Sequence, residues 1–237
     1  MTAGEALRVA RHVGLRHRCP VCGTPLRAFA DAQLPASRCP RCGSLQRHRH
    51  LWIFLEREMD VRGRVLHLAP EAGLERALRA RPGVDYVSGD LEPGAAMLTL
   101  DLQRLALADA SFDWILCSHV LEHVPDDRAA MRELRRVLCP GGTLIVQVPM
   151  YGEATDEDPS VTDPSQRRAR FGQHDHVRVY GSDVADRLRD AGLTVEARVY
   201  RDQLSPRERR RYGLEYLGVP DGFNEADAVW TIIVCRR

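Results

Sequence analysis

Two closely spaced cysteine pairs constrain the N-terminal part of the chain more than any other feature of the sequence. They read Cys19-Pro-Val-Cys22-Gly and Cys39-Pro-Arg-Cys42-Gly. Two residues between thiolates allow both sulfurs to face one ion at about 2.3 Å, and the glycine after each pair lets the backbone turn around it. We therefore predict a zinc ribbon in which all four cysteines bind a structural Zn²⁺. Four thiolates complete a tetrahedral site, so a catalytic or redox role is not expected.

The segment that follows the second pair, residues 44–60, has apolar residues at helical spacing and predicts a helix that joins the ribbon to the main domain. His48 and His50 lie in this helix, and we expect them at the surface or facing substrate because four cysteines already complete the metal site. Cys117 and Cys235 lie in apolar runs and are expected to be buried thiols.

Length and composition indicate an ordinary globular protein. The chain has 237 residues, with 44% hydrophobic and 28% charged residues. It contains no run of about 18 apolar residues, and its N-terminus has no secretory signal pattern, so we expect a cytoplasmic protein without a membrane span. The basic residues are nearly all arginine, which is typical of a GC-rich bacterial genome.

The N-terminal fifth of the chain is basic although the net charge of the whole chain is only +1. Residues 1–50 contain nine arginines against Glu5 and Asp31. Such a patch could bind an anionic partner such as RNA, or it could be the solvated surface of an arginine-rich protein. Phe29 is the only aromatic residue between the two cysteine pairs, which leaves few side chains for base stacking and argues mildly against RNA.

From Arg64 onward, segments with strand and helix patterns alternate, which predicts an α/β fold with a parallel, doubly wound sheet. In such sheets ligands bind at the carboxyl ends of the strands. The helix over 128–138 is expected to end at Pro140-Gly141-Gly142, before a strand over 143–148. Residues 201–227 are predicted to be a long polar connection. The predicted strands are 64–68, 85–88, 97–100, 112–117, 143–148, 193–199 and 229–234, and the other predicted helices are 74–80 and 182–191.

A stretch of about forty residues from Ala110 to Pro149 resembles class I S-adenosylmethionine-dependent methyltransferases, of the type 11-like group. The matching features are Phe112-Asp113, the run His119-Val-Leu-Glu-His-Val, Arg136-Val-Leu and Pro140-Gly-Gly. The resemblance implies a Rossmann-like, seven-stranded sheet that ends in an antiparallel hairpin. The domains expected are a ribbon with its N-terminal extension over 1–47 and a methyltransferase domain over 48–237, with a lid or substrate insertion at about 149–180.

The resemblance also implies which residues bind S-adenosylmethionine. Asp90 would accept hydrogen bonds from the ribose hydroxyls, and Asp101 from the adenine amino group, while turn or cap roles are the alternatives for both. The family's usual glycine loop is absent after the first strand of this domain, where only Gly73 remains. The full set of predicted cofactor-binding residues is His67, Leu68, Ala69, Pro70, Glu71, Asp90, Leu91, Asp101, Leu102, Ser118 and His119.

The residues around the acceptor site are less sharply indicated. His119, Glu122 and His123 would share one face of a helix, which could indicate a second metal site or a general base, whereas the resemblance favours a structural and cofactor-lining role. His119 and His176 are the candidate catalytic residues. The candidate substrate-binding residues are Tyr151, His174, His176 and Arg178, and the fork of Arg178 could hold a carboxylate or phosphate of the substrate. The alternative is that His174 and His176 hydrogen-bond within the lid while Asp175 pairs with an arginine.

A further hypothesis places a metal among residues of the predicted lid. Thr155, Glu157 and Asp158 would join His174 and His176 around it, since oxygen and imidazole ligands suit several ions.

Three functions are compatible with these observations. The first is a methyltransferase that acts on a small molecule by O- or N-methylation. The second is an RNA methyltransferase whose basic ribbon binds nucleic acid. The third is a non-catalytic binding module on a degenerate methyltransferase fold. The sequence does not indicate an oligomeric state.

Overall fold

The computed structural model describes residues 9–31, 37–215 and 230–237. The strands in this part of the chain are β1 (Val13–Arg18), β2 (Pro25–Leu26), β3 (Gly63–Leu68), β4 (Val84–Asp90), β5 (Leu98–Thr99), β6 (Phe112–Ser118), β7 (Leu138–Gln147), β8 (Asp156–Glu157), β9 (Arg178–Val179), β10 (Thr194–Val199) and β11 (Thr231–Arg236). The helices are α1 (Gln46–Glu58), α2 (Ala72–Arg79), α3 (Asp127–Val137), α4 (Pro164–Phe171), α5 (Val184–Asp190) and α6 (Pro206–Arg211), with one 3₁₀ turn at Leu121–His123.

The chain divides into two compact units. The ribbon unit consists of Met1–Val61, Glu71–Arg81 and Tyr200–Val219, and the sheet unit consists of Arg62–Pro70, Pro82–Val199 and Pro220–Arg237. Each unit is therefore assembled from separate stretches of sequence, and helix α2 belongs to the ribbon unit although it follows β3 directly.

In the ribbon unit, β1 and β2 pair antiparallel and each cysteine pair forms a tight turn. Gly23 and Gly43 close these turns with φ of 70° and 75°, a conformation that favours glycine. Helix α1 lies within the predicted segment 44–60. His48 and His50 on α1 are only 6% and 0% exposed. The expectation that they lie at the surface is therefore wrong, because the α1 face that carries them is packed within the unit.

The sheet unit contains a seven-stranded sheet in the order β10-β11-β7-β6-β3-β4-β5. Strands β7, β6, β3, β4 and β5 pair in parallel. Strand β11 is antiparallel to both β7 and β10. This confirms the predicted α/β class and the predicted antiparallel hairpin, which β10 and β11 form at one edge of the sheet.

Strand β7 differs from its predicted bounds. Helix α3 ends at Val137, and β7 begins at Leu138 and continues through Pro140-Gly141-Gly142 to Gln147. The Pro-Gly-Gly segment is therefore part of a strand, and its irregularity is taken up by a register shift against β6 between Phe112 and Trp114.

Helix α3 supplies one side of the core of the sheet unit. Its side chains Met131, Leu134 and Val137 are all 0% exposed, as the apolar spacing predicts. They belong to one apolar cluster with residues of β3, β6, β7, β11 and α5. Cys117 and Cys235 lie in the same cluster at 1% and 0% exposure, which confirms that they are core thiols.

The predicted polar connection over 201–227 contains a helix. Ser205 and Glu208 form a capping box at the start of α6, and Pro206 occupies the first helical position, where its fixed φ favours a helix. The part of this connection beyond residue 215 lies outside the described residues. Among the helices that the structure describes, none is long and apolar enough to cross a membrane.

Candidate cofactor and metal sites

The four cysteines of the ribbon converge as predicted. Their four Sγ atoms all lie within 4.8 Å of one another. The Sγ atoms of Cys19 and Cys42 are 3.6 Å apart, and those of Cys22 and Cys39 are 3.7 Å apart. Four sulfurs at about 2.3 Å from one zinc ion would be separated by about 3.8 Å at the corners of a tetrahedron. The donor set and its spacing therefore fit Zn²⁺.

A buried arginine supports this cluster, which the sequence did not reveal. Arg49 on α1 is 0% exposed. Its guanidinium donates to the backbone carbonyls of Ser37 and Ser44, at 3.0 and 2.7 Å, and also to those of Tyr212 and Gly213, at 2.8 and 2.6 Å. It also lies 4.0 Å from the centroid of the Phe29 ring. Burial lowers the pKa of Arg49 to about 10, and the nearby cysteines oppose that shift. The side chain therefore stays cationic beside thiolates.

The start of α2 packs directly on the cluster. A Cβ atom added at Gly73 would lie 2.9 Å from the carbonyl oxygen of Cys42. Arg76 donates to the same carbonyl at 3.4 Å, and the carboxylate of Glu71 lies 3.1 Å from Nε2 of His48. Gly73 is the one glycine left at the place of the usual cofactor loop, and here it makes room for a metal ligand.

The sheet unit brings its polar residues together at the carboxyl ends of its parallel strands. Leu68, at the end of β3, pairs with Gly89 on β4 and Cys117 on β6. The strand order reverses between β3 and β6, and ligands bind at such switch points in doubly wound sheets. Ala69 and His119 follow these two strands with φ of 46° and 54°, which is uncommon for residues with a Cβ atom and often marks a functional site.

Of the two predicted acidic residues, Asp90 is the last residue of β4 and Asp101 follows β5, and the turn after each one holds its carboxylate. Oδ1 of Asp90 accepts from the backbone N–H of Glu92 at 2.9 Å. Oδ1 of Asp101 accepts from the backbone N–H of Gln103 at 2.9 Å and from its side chain at 3.2 Å. These turn bonds hold the carboxylates in place and occupy one oxygen of each. Leu91 is 71% exposed and Leu102 is 6% exposed.

The other predicted cofactor residues differ in accessibility. The His67 side chain is 0% exposed within β3, and its Nδ1 lies 2.9 Å from the Tyr86 hydroxyl. The Ser118 hydroxyl donates to Gln147 at 3.3 Å, and the His119 side chain is 29% exposed. Glu71 belongs to the ribbon unit, whereas the other ten predicted residues, His67, Leu68, Ala69, Pro70, Asp90, Leu91, Asp101, Leu102, Ser118 and His119, belong to the sheet unit.

Arg178 was predicted to bind an acidic group of the substrate, and the structure argues against this role. The side chain is 4% exposed, and Nε donates to Glu157 at 2.8 Å. Its other two nitrogens donate to the carbonyls of Leu121 at 3.0 Å and Pro125 at 2.9 Å. With every nitrogen engaged inside the chain, Arg178 fixes the loop after β6 instead of presenting a free face to a ligand.

The metal site imagined among Thr155, Glu157 and Asp158 does not form, because each side chain has another partner. Thr155 donates to Asp183 at 2.6 Å, Glu157 pairs with Arg178 and Arg187, and Asp158 pairs with Arg170 at 2.7 Å. Of the remaining substrate candidates, Tyr151 is 54% exposed, and the side chain of His174 is 60% exposed.

A second group of metal-binding side chains does form in the sheet unit. One ligand atom each from Glu122, His123 and His176 lies within 4.8 Å of the other two. Glu122 and His123 belong to the 3₁₀ turn after β6, and His176 lies two residues before β9. Burial lowers the pKa of His176, so its imidazole is neutral at pH 7. His119, Glu122 and His123 do not lie on one face of an α-helix, because the turn is short and His119 precedes it with a left-handed φ.

Comparisons with known proteins agree with this architecture. A family described as "Methyltransferase domain" matches residues 60–146. A demethylmenaquinone methyltransferase of Beutenbergia cavernae is 38% identical over 94 residues, which cover 35% of this chain and 39% of that relative. The chain therefore matches well under half the length of this curated relative.

Two solved structures share the fold at low sequence identity. The first is a complex between a Haloferax volcanii methyltransferase activator and a methyltransferase, with a TM-score of 0.53, 20% identity and coverage of 80% of this chain and 89% of that one. The second is the cyclase SpnF, with a TM-score of 0.50, 17% identity and coverage of 99% of this chain and 91% of that one. At these identities the likeness concerns the fold alone.

Proposed function

We propose that this chain is a class I methyltransferase that transfers a methyl group from S-adenosylmethionine to a small-molecule acceptor by O- or N-methylation. The observation that carries the proposal is the set of groups at the switch point of the sheet. Asp90 and Ser118 are the last residues of β4 and β6, and Ala69 and His119 directly follow β3 and β6, at the edge where such sheets bind their ligands.

The residues present fit the cofactor. The free oxygens of Asp90 and Asp101 would accept hydrogen bonds from the ribose hydroxyls and the adenine amino group. The backbone at Ala69 keeps the left-handed conformation that a glycine would adopt, and its small side chain allows close approach of a ligand. We propose that the other predicted residues of the sheet unit also line the cofactor site, namely His67, Leu68, Pro70, Leu91, Leu102, Ser118 and His119. Glu71 lies in the ribbon unit, where it pairs with His48. S-adenosylmethionine supplies an activated methyl group when bound, so the chain has to position the acceptor and remove its proton.

His119 is the proposed catalytic residue, and Tyr151 and His174 are the proposed substrate contacts. His176, the second catalytic candidate, is 3% exposed with Nδ1 2.8 Å from the Phe171 carbonyl, so it would act through a bound ion and not as a free base. His119 is half-buried at the end of β6, within the proposed cofactor set. The lid is proposed over residues 149–180, with the ribbon over 1–47 and the methyltransferase domain over 48–237. A small acceptor is also what the matched relative's name describes, since demethylmenaquinone is a small molecule.

Calorimetry with S-adenosylmethionine tests the proposal on the full chain. Replacing Asp101 by Ala removes a hydrogen bond to a charged group, which corresponds to a loss of affinity of roughly 10- to 100-fold. Glu92→Gln is the matched control, because Glu92 is an exposed acidic residue two positions from Asp90. Absence of heat and of any thermal shift with the wild-type chain would favour the non-catalytic binding module instead.

Methylated products from a panel of small acceptors, detected by mass spectrometry, would identify the substrate class.

The ribbon is proposed to hold a structural Zn²⁺. The spacing of its four cysteine sulfurs and the cationic Arg49 beside them support this ion. None of the seven cysteines, all of which lie within the described residues, forms a disulfide, which suits the reducing cytoplasm that we propose for the protein.

One observation favours an anionic macromolecule as an alternative substrate. A cleft of about 460 Å³ in the ribbon unit is lined by Arg18, Arg207 and Arg211, together with Tyr212 and Glu208. Glu208 is paired with Arg57 at 2.7 Å, so the cleft remains positive. Phe29, however, is 4% exposed beneath Arg49 and is not available for base stacking.

Binding of mixed RNA at several salt concentrations separates the two substrates. An RNA methyltransferase predicts tight binding that weakens steeply with salt and with Arg207→Gln. No binding at any salt concentration would exclude it and leave the small acceptor.

A further inference from the structure

We propose that Glu122, His123 and His176 form a binding site for one divalent transition-metal ion, separate from the four-cysteine cluster. The three side chains offer one carboxylate oxygen and two imidazole nitrogens, all within 4.8 Å of one another. Metal–ligand bonds to such atoms are about 2.0–2.2 Å long, so the three groups are close enough to share one ion. The rings of His123 and His176 stand nearly perpendicular, with an interplanar angle of 82° and centroids 4.7 Å apart.

Burial without partners is the second, independent observation. Glu122 and His176 are only 1% and 3% exposed. Three of their polar atoms have no hydrogen bond of good geometry within the described part of the chain: both carboxylate oxygens of Glu122, and Nε2 of His176. Nδ1 of His119 lies 3.3 Å from Oε1 and forms an ion pair with it when protonated. A buried carboxylate without a well-formed hydrogen bond is costly, and buried groups of this kind commonly mark a site for an ion or a water.

The surroundings orient the imidazoles as metal ligands. Nδ1 of His176 lies 2.8 Å from the carbonyl oxygen of Phe171, and it must carry the proton because a carbonyl can only accept. Nε2 of His176 is then left with a free lone pair. Nδ1 of His123 lies 3.3 Å from Oδ2 of Asp175. Such carbonyl and carboxylate partners of a ligand histidine are typical of protein metal sites.

The backbone holds the two parts of the site together. The N–H of Val177 donates to the carbonyl of Glu122 at 3.0 Å, next to His176 in sequence. Arg178 clamps the carbonyls of Leu121 and Pro125 on either side of the ligand pair. The site is thus preformed by the same contacts that remove Arg178 from substrate binding.

The ligand set selects the class of ion. Two imidazoles and one carboxylate suit Mn²⁺, Fe²⁺, Co²⁺, Ni²⁺ or Zn²⁺, whereas Mg²⁺ and Ca²⁺ prefer oxygen ligands throughout. Three protein ligands leave coordination positions open for an oxygen ligand, unlike the saturated cysteine cluster. The side chain of His123 is 34% exposed, which gives an ion access to the site.

Cobalt is a suitable probe because its spectrum reports the ligands. The experiment uses the full chain with one zinc retained in the ribbon, titrated with Co²⁺ alone by calorimetry and by visible absorption. We expect one further Co²⁺ per chain with weak visible bands and no sulfur charge-transfer band. Glu122→Gln and His176→Gln should each weaken binding by more than about 100-fold, since loss of an orienting partner alone costs about 10- to 100-fold. Asp175→Asn should fall in that smaller range, and His174→Gln, an exposed neighbour, should bind as wild type.

The outcomes are distinct from those of the methyltransferase test, because no S-adenosylmethionine is present. The absence of a stoichiometric cobalt ion in the wild-type chain, or equal binding by folded Glu122→Gln, would overturn the site. X-ray absorption of the cobalt-loaded wild-type chain gives a test that needs no variant. Two imidazole ligands are expected, and a spectrum without imidazole scattering would also overturn the proposal.

Discussion

The cysteine cluster of the ribbon unit and the polar groups at the strand ends of the sheet unit are built on opposite principles. In the ribbon, four ligands of one type can complete a coordination shell, and the buried guanidinium of Arg49 donates to four backbone carbonyls. In the sheet unit, the carboxylate of Glu122 and Nε2 of His176 are buried without a hydrogen bond of good geometry to the described residues, and Ala69 and His119 hold uncommon backbone conformations.

The difference indicates what each region contributes. A saturated four-thiolate cluster would hold together the two short cysteine turns of the ribbon. Unsatisfied polar groups and backbone strain lower stability and are tolerated where a ligand is to be bound. Substitutions in the first region should therefore change stability strongly, and substitutions in the second should change binding with little effect on stability.

The largest effect is expected from loss of a cysteine ligand. Cys39→Ser leaves an incomplete shell, and we expect it to lower the free energy of unfolding by about 4 kcal/mol or more, with loss of zinc. Metal analysis and chemical denaturation measure both quantities. Cys139→Ser is the matched control, since Cys139 is a free thiol outside the cluster. A Cys39→Ser chain that kept its zinc and its stability would break the assignment of the ribbon as the stabilising region.

The next effect is expected from Arg49→Met. Methionine keeps much of the buried volume but leaves the carbonyls of Ser37, Ser44, Tyr212 and Gly213 without their charged donor. Hydrogen bonds to charged groups contribute about 1.5–3 kcal/mol, so we expect a loss of roughly 3 kcal/mol in the free energy of unfolding. Arg38→Met at an exposed position should change it by less than about 0.5 kcal/mol. Equal effects of the two variants would show that Arg49 does not support the cluster.

The same contrast explains how far the sequence alone could predict these regions. The cysteine site is local, and residue type and spacing determine it. The role of Arg49 could not be predicted, because its partners are backbone carbonyls, two of them more than 160 residues away along the chain, and any residue type can supply a carbonyl. The sequence places Gly73 in the cofactor loop and does not reveal its contact with Cys42, because only the folded chain brings these two residues together.

The sheet was largely predictable because apolar alternation and the residues after β6 specify strands and their order. The sequence predicts that the Pro-Gly-Gly segment ends a helix. It is instead part of β7, because a register shift against β6 accommodates it, and this shift is not visible in the sequence. The group of Glu122, His123 and His176 could be predicted only in part. The sequence places Glu122 beside His123, but His176 joins them through tertiary contacts, and the helical spacing argument fails at a 3₁₀ turn.

Acid sensitivity gives a third, smaller test of the ribbon unit. Burial lowers the pKa of His50 from 6.5 to about 3. The folded chain keeps His50 neutral between these values, whereas the unfolded chain takes up a proton. The stabilisation is therefore complete above pH 6.5 and is lost as the pH falls toward 3, by at most about 1.4 kcal/mol per pH unit.

Denaturation at about pH 7 and about pH 5.5, on either side of the ordinary histidine pKa, measures this slope. The zinc-loaded His50→Asn chain should show a shallower slope than wild type. His174→Asn, at an exposed histidine of the sheet unit, serves as the control and should leave the slope unchanged. Parallel slopes for wild type and His50→Asn would mean that acid acts on the ribbon through its thiolates alone.

The smallest effect, and the one that tests the second region directly, is expected from Ala69→Gly. Glycine removes the cost of about 1 kcal/mol that an alanine incurs at a left-handed φ, but it also increases the entropy of the unfolded chain by about 0.4–1 kcal/mol. The two terms nearly cancel, so we expect the free energy of unfolding to change by less than about 0.5 kcal/mol. Ala129→Gly within helix α3 has no strain to relieve and should cost about 0.5–1 kcal/mol. A loss at Ala69 as large as that at Ala129 would show that the turn after β3 stores no strain, and the argument for backbone strain at the proposed cofactor site would then rest on His119 alone.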